Sequence, residues 1–392
     1  MRLLEVGNDP TLRREFLHLP LRLYRHQPAW IRPLDKDIEE VFDPRKNPSF
    51  AHGEAIRWVL RDDAGKTIGR VAAFVDYEKA KQEEQPTGGM GFFECENDTA
   101  AANALFDACR DWLAPKGMEA MDGPVNFGER DTWWGCLVAG FEHEPTYKMP
   151  WTLPYYPALF EQYGFRDYFQ QYTYVTPIRA AVVTPGVEER ARRVYQNPLY
   201  QFRHVEKSNW RKYADDLRLI YNQAWARHSG VKPMSEEKAH ELVKSALPIL
   251  DEQLVWFAYA GEDPVAFFVV LPEINQIVRH LDGQFNLWAK LKFLLLKAKG
   301  TMTKTFGVSF GVVPDHQGKG VEAAIALRFR QAGRDDPDFP YKTLEMNWVG
   351  DFNPIMIRFV KQIGGELSKT YVTYRYLFDR SKPFKRCPVI TR

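Results

Sequence analysis

The run Gly311-Val312-Val313-Pro314-Asp315-His316-Gln317-Gly318-Lys319-Gly320-Val321 holds residues whose types and spacing suit one kind of ligand. Residues 305–313 read as a buried strand, and Glu322-Ala323-Ala324-Ile325-Ala326-Leu327-Arg328-Phe329 repeats apolar side chains at helical spacing. A strand, a short turn with glycines and a lysine, and a helix start leave backbone N–H groups unpaired at a helix N-terminus. Such a turn suits an anion, and the pyrophosphate of a nucleotide-like cofactor fits it. The bland alternative is an ordinary strand-to-helix turn with a solvated Lys319. Two neighbouring reactive groups give weaker signals. His316 lies on the same turn, where a single histidine is usually solvated, and Cys136 in Trp133-Trp134-Gly135-Cys136 has no adjacent histidine to activate it.

A chain of 392 residues exceeds what one hydrophobic core usually organises, so two domains are expected. Lys and Arg total 53 against 51 Asp and Glu, and no basic stripe interleaves with aromatics, so no nucleic-acid partner is expected. Cys95, Cys109, Cys136 and Cys387 never fall in a C-x-x-C, which argues against a disulfide framework, and no metal site is expected. The N-terminus lacks a signal-like apolar core, and no run approaches the roughly 20 apolar residues of a membrane span. A cytoplasmic location is the expectation.

The elements that must carry the turn come twice. Residues 55–60 and 68–75 are apolar runs separated by Asp62-Asp63-Ala64-Gly65-Lys66. Residues 254–259 and 265–270 are apolar runs separated by Gly261-Glu262-Asp263-Pro264. Each pair reads as a β-hairpin, and Trp58 corresponds to Trp256. A further strand, a helix and a last helix closing on glycine follow each hairpin. In the first half these are 91–95, 99–113 and 159–163 before Gly164; in the second they are 305–313, a helix from Val321, and 357–363 before Gly364. A duplicated mixed α/β unit is the simplest account. The join is expected within 177–209, where Thr176-Pro177 and Thr184-Pro185-Gly186 break the pattern, with helices after it over 210–227 and 236–247.

Hairpin, strand, glycine-rich turn, helix, strand and a helix ending in glycine is the order of the GCN5-related N-acetyltransferase (GNAT) fold, and the chain resembles that family. Its Gln317-Gly318-Lys319-Gly320-Val321 is similar to the family turn Gln/Arg-x-x-Gly-x-Gly/Ala, with Glu322 where the last small residue stands. Leu271-Pro272-Glu273-Ile274-Asn275, Asn347-Trp348-Val349-Gly350-Asp351-Phe352-Asn353 and Asp122-Gly123-Pro124-Val125-Asn126-Phe127 complete a set that looks like a bacterial double-GNAT family. The resemblance implies an α/β fold on a mixed sheet, in tandem GNAT-like acyltransferase domains at 1–178 and 200–380. It implies acetyl-coenzyme A or another acyl-coenzyme A as co-substrate. Gly311, Val312 and Val313 would pair with the pantetheine amides, and Gln317, Gly318, Lys319, Gly320 and Val321 would surround the pyrophosphate. Asn353 matches a position on the pantetheine arm and reads equally well as a helix cap before Pro354.

GNAT enzymes commonly need a base for an ammonium acceptor and an acid for the leaving thiolate. Glu345 is the best base candidate. The family's tyrosine before the closing glycine falls on Val360 in the second half and Phe160 in the first, so Tyr371 is the nearest proton donor. The first half places Glu94, Glu96 and Asp98 where an anion would sit, without glycines, and is expected to have lost coenzyme binding. The leading expectation is an acyl-coenzyme A-dependent N-acyltransferase acting by direct transfer on a small-molecule or lipid-like amine. The alternatives are a long-chain acyl or Fem-like aminoacyl transferase, and a non-catalytic acyl-coenzyme A-binding or scaffold protein. Residues 285–299 carry four lysines and no acid. They offer peripheral membrane contact or a gate for a long acyl chain, against the favoured expectation of an amphipathic helix packed on the sheet with snorkelling lysines.

Overall fold

The period-two apolar runs form strands, and these join into one mixed sheet of 13 strands in a computed structural model that describes residues 1–225 and 233–390. In chain order they are β1 (Arg2–Glu5), β2 (Gly53–Arg61), β3 (Thr67–Asp76), β4 (Thr87–Cys95), β5 (Ala120–Gly123), β6 (Cys136–Ala139) and β7 (Arg166–Pro177) in the first half. The second half supplies β8 (Tyr200–His204), β9 (Val255–Ala260), β10 (Asp263–Pro272), β11 (Lys304–Val312), β12 (Thr343–Gly350) and β13 (Glu366–Leu377). Both expected hairpins are present, as β2–β3 and β9–β10. The expected helices follow with small shifts. The helix Trp210–Trp225 covers the expected 210–227 as far as residue 225, and the last two expected residues lie outside the described ones.

Local chemistry fixes the helix ends. Asp98 accepts hydrogen bonds from the N–H groups of Ala100 and Ala101 and starts the helix Thr99–Leu113. Tyr156–Tyr163 closes on Gly164, whose φ of 109° is left-handed, and Pro354–Gln362 is followed by Gly364 at 88°. The two halves also share an irregularity. Phe92 and Phe93 of β4 lie opposite Val71 alone, and Val308 of β11 is likewise extra against β10, so each half carries a bulge at the same place.

The order across the sheet is β1-β2-β3-β4-β5-β13-β7-β12-β11-β10-β9-β8. By position in the repeat β7 corresponds to β13, and β5 to β12. Yet β13 pairs with β5 and β6 of the first half, and β7 pairs with β12 of the second. The halves have exchanged their last strands. β7 and β13 then pair with each other along most of their length, which makes the sheet continuous. The hydrophobic core of the first half accordingly contains Tyr371, Val372, Tyr374 and Tyr376 from the end of the chain.

One expectation holds only in part. The helix Leu287–Ala298 forms and packs Phe293 and Leu296 against the core of the second half, but most of its large apolar residues stay outside it. Ala289 is buried and Phe293 and Leu296 are half-buried, whereas Leu287, Trp288, Leu291, Leu294 and Leu295 are exposed. A narrow row of side chains suffices to seat the helix, and the wider stripe is left over.

Candidate functional site

β11 and β12 pair in parallel only over 304–307 and 343–346, then diverge. Beyond Gly307, β11 keeps β10 on one side and has no strand partner on the other among the described residues. Val308, Ser309 and Phe310 are half-buried there, so a wedge opens between the strands. Gly311 and Val312 end β11 paired with Phe267 and Ala266, and the N–H of Val313 donates to the carbonyl of Val265 at 2.9 Å.

The turn that follows starts the helix Val321–Asp335, with Gly320 as its N-cap at a φ of 92°. Gly318 is also left-handed, at 70°, and a β-carbon there would meet nothing within 4 Å. Gly320 is different. A β-carbon there would come within 3.2 Å of Arg190 and 3.3 Å of Val194, so its bareness serves packing against the helix Pro185–Tyr195. Lys319 is exposed, and Gln317 donates its amide to the carbonyl of Val312 at 2.9 Å, tying the turn back to the strand. Glu322, half-buried, has its Oε2 buried with no hydrogen-bond partner. Val321 is fully buried, and His316 meets the hydroxyl of Tyr200 at 2.9 Å. Asn353 accepts from the N–H of Met356 at 3.1 Å and is a helix cap.

Glu345 lies at the closed end of the wedge, in register with Phe306. Its carboxylate is held by the ammonium of Lys369, which is fully buried and also donates to the carbonyl of Glu144 at 2.9 Å. Glu273 is beside them, buried, accepting from the N–H groups of Tyr147 at 3.1 Å and Asn275 at 2.8 Å. Burial pushes its carboxyl up to about 8, against these hydrogen bonds, and Glu345 adds to the rise. Tyr371 is drawn by the strand exchange into the core of the first half. It is fully buried, its hydroxyl has no partner, and burial first and Glu345 second raise its pKa well above the ordinary phenol value. The wedge turn at 317–320 and Tyr371 are therefore on different halves of the sheet.

In the first half the corresponding strand edge is occupied by its own chain. The carbonyl of Met90 accepts from Val125 at 2.7 Å. Cys95 donates its N–H to the hydroxyl of Tyr156 at 3.0 Å and accepts from that of Tyr155 at 2.7 Å. Between these closures lies a cleft open to solvent and walled by Leu17, Trp30, Phe92, Phe93, Met149 and Trp151. Phe92 and Trp133, both on its wall, hold left-handed φ values of 49° and 53°, backbone strain of a kind that collects at functional sites.

A buried polar network closes one wall of the cleft. Glu94 accepts from Tyr24 and Tyr156 at 2.7 Å each and from Arg70 at 3.3 Å. Burial pushes the Glu94 carboxyl up, while Arg70 and the tyrosine hydroxyls pull it down. Arg70 Nε and Arg32 Nε, both on residues lining the cleft, are buried without a partner. Glu94 is more than the obstacle to an anion that its sequence position implies. The signal for it is a charged residue inside the apolar strand Phe92-Phe93-Glu94-Cys95, whose partners include Tyr156 of the Tyr155-Tyr156 pair. Another group went unread: Asp215, Glu236 and His240 bring their ligand atoms within 4.8 Å of one another, and His240 already pairs with Asp215 at 3.1 Å.

Two bulged, wedge-opened α/β units in one chain define the fold of tandem GCN5-related N-acetyltransferases. The chain is similar to a tandem GNAT protein from the clavulanic acid biosynthesis pathway, with a TM-score of 0.55 and 11% identity, covering 97% of this chain and 99% of that one. It is also similar to a GCN5-related glucosamine N-acetyltransferase region of a fungal multi-domain GH3 β-N-acetylglucosaminidase, with a TM-score of 0.56 and 13% identity. That match covers 96% of this chain and 38% of the longer fungal protein. In sequence, the chain is 29% identical over 376 residues to a bacterial ceramide synthase of Caulobacter vibrioides, covering 93% of this chain and 94% of that protein. It is 28% identical over 367 residues to protein YghO of Escherichia coli, covering 92% of each. No family model matches the chain. No helix among the described residues is long and apolar enough to cross a membrane.

Proposed function

We propose that the chain is an acyl-coenzyme A-dependent N-acyltransferase whose acceptor is a long-chain, lipid-like amine. The observation that carries this reading is the asymmetry of the two wedges. The second stays open beside a glycine turn at a helix start, and the first is sealed at its edge yet borders a cleft with largely apolar walls. The similarity to a ceramide synthase agrees with it, because a ceramide is the amide of a long-chain amino alcohol and a fatty acid.

In this reading the open edge at 308–312 pairs with the amides of the donor's arm, and the turn at 317–320 takes its phosphates. Gly318 leaves room for close backbone approach, Lys319 supplies unlike charge, and the start of Val321–Asp335 adds its N–H groups. The donor brings an activated thioester carbonyl. The amine nitrogen attacks it, the C–N bond forms, the C–S bond breaks, and the proton lost by the amine balances the one taken up by the thiolate. Glu345, whose carboxylate is held by the Lys369 ammonium, is the proton acceptor proposed from this chain. Tyr371, fully buried in the core of the first half and away from the 317–320 turn, is not placed to give the thiolate its proton, which comes from water. The apolar cleft receives a hydrocarbon chain.

The test is mass spectrometric detection of amide product from short- and long-chain acyl-coenzyme A with a panel of long-chain amines, alongside direct titration of coenzyme A. Lys319→Glu is expected to weaken coenzyme A binding about tenfold without unfolding, since the side chain is exposed. Absence of saturable binding by the wild type would sink the donor site. A second reading, non-catalytic acyl-coenzyme A binding, is favoured by Val360 and Phe160, both fully buried and unable to give a proton. Binding without amide formation across the panel would select it.

A further inference from the structure

The helix Leu287–Ala298 presents an apolar stripe to solvent. Trp288 is 78% exposed, Leu287 70%, Leu295 64% and Leu294 59%, each more exposed than any other large apolar side chain among the described residues except Val182. At 3.6 residues per turn, 287, 288, 291, 294, 295 and 298 share one face, opposite the seated Ala289, Phe293 and Leu296. The lysines fall on the two flanks between these faces: Lys292 and Lys299 along one, Lys290 and Lys297 along the other. Lys292 donates to the carbonyl of His280 at 2.6 Å and Lys297 to that of Pro248 at 2.5 Å, so both cations are held in place beside the stripe. From Gly283 to Pro314 the chain has no acidic residue.

The segment leading into this helix is fastened to the rim of the apolar cleft. Arg32 pairs with Asp282 at 3.3 Å, Asp35 donates its N–H to the carbonyl of Gly283 at 2.8 Å, and the Lys36 ammonium sits 4.8 Å over the Phe285 ring. Arg32 and Asp35 line the cleft itself.

We propose that Leu287–Ala298 is a docking helix that lies in the surface of an anionic phospholipid bilayer and brings the mouth of the first-half cleft against it. The stripe would sink to the acyl boundary, with Trp288 at headgroup level and the flanking lysines on lipid phosphates. Charge complementarity selects this occupant. A second copy of the chain meeting the stripe face to face would bring lysine rows together with no acid in either segment to neutralise them. The helix is too short to span a bilayer, so it rests on one leaflet. Docking in this sense does not depend on the proposed acyl transfer, and its test reads binding alone.

The test is co-flotation of the full chain with vesicles of phosphatidylcholine alone, or of phosphatidylcholine mixed with phosphatidylglycerol. Wild type is expected to float with the mixed vesicles, and about tenfold less with the neutral ones or in high salt. Trp288→Glu/Leu294→Glu, and separately Lys290→Glu/Lys299→Glu, change exposed residues only. Each is expected to abolish flotation with an unchanged melting temperature. Failure of the wild type to bind, or binding that neither double variant reduces, overturns the proposal. So does a wild-type dimer in light scattering that Trp288→Glu/Leu294→Glu converts to monomer, which would assign the stripe to a second copy.

Discussion

Lys369 and Glu345 meet across the exchanged strands: the ammonium of one, with no solvent exposure, rests on the carboxylate of the other two strands away in the sheet. The pair ties the end of the chain to β12, and Glu273 and the crossing segment around Glu144–Tyr147 are built around it.

Removing Lys369 leaves the largely buried Glu345 carboxylate without its partner. Lys369→Met is expected to destabilise the chain by about 3–5 kcal/mol in urea unfolding. Lys369→Met with Glu345→Leu is expected to recover most of that loss, since an apolar pair of similar volume carries no stranded charge. Equal destabilisation by the single and double variants would show that the pair is not coupled.

Glu273 sets a pH dependence of the opposite sense to an ordinary surface carboxylate. Its folded value near 8 lies above the usual 4.5, so the folded state binds the extra proton. Its contribution is fully present below about pH 4.5, declines as pH rises through the window up to about 8, and is gone above it. Glu273→Gln keeps an oxygen for the Tyr147 and Asn275 N–H groups, and is expected to flatten the stability profile between those limits. Chemical unfolding at a series of pH values reads the slope directly.

Tyr156 serves two acceptors and donors at once, Glu94 and the N–H of Cys95. Tyr156→Phe leaves both short of a buried partner and is expected to cost about 1–3 kcal/mol. Tyr163→Phe, at a half-buried hydroxyl that meets Asp107, is the comparison and should cost less.

Thiol labelling gives a further check on the folded state. Burial pushes Cys95 and Cys136 up to about 12 and raises Cys109 and Cys387 as well, but only Cys387 is not fully buried. At pH 8 an alkylating reagent should modify Cys387 first, and the other three only at the rate of unfolding. Prompt labelling of Cys95 in native protein would contradict the closed strand edge beside it.

The left-handed turn residue Gly320 can be tested by Gly320→Ala. With φ at 92° and Arg190 within 3.2 Å of the new methyl group, a loss of about 1–2 kcal/mol is expected in thermal or urea unfolding.

Hairpins, helix caps and closing glycines were legible because each is set within a few residues by side-chain period and turn chemistry. The helix Thr99–Leu113 and its Asp98 cap are examples. The partner of a strand's outer edge is not written in its own period. Nothing in the alternation of 366–377 distinguishes β5 from β12 as its neighbour, so the exchange, and with it the place of Tyr371, was hidden. The turn at 317–320 was legible as a turn. That Gly320 is bare for the sake of Arg190 depends on a helix more than a hundred residues earlier in the chain. The role of Glu94 is not legible locally, because its counter-charge Arg70 and its tyrosines come from three other segments.

The exchanged strands also govern how the chain is made. During synthesis the first half emerges complete in sequence well before its sheet can close, because the strand that must lie beside β5 and β6 is 366–377. Until Leu377 clears the ribosome, β5 and β6 keep open edges, and a nascent chain stalled anywhere short of that point should remain sensitive to protease in both halves.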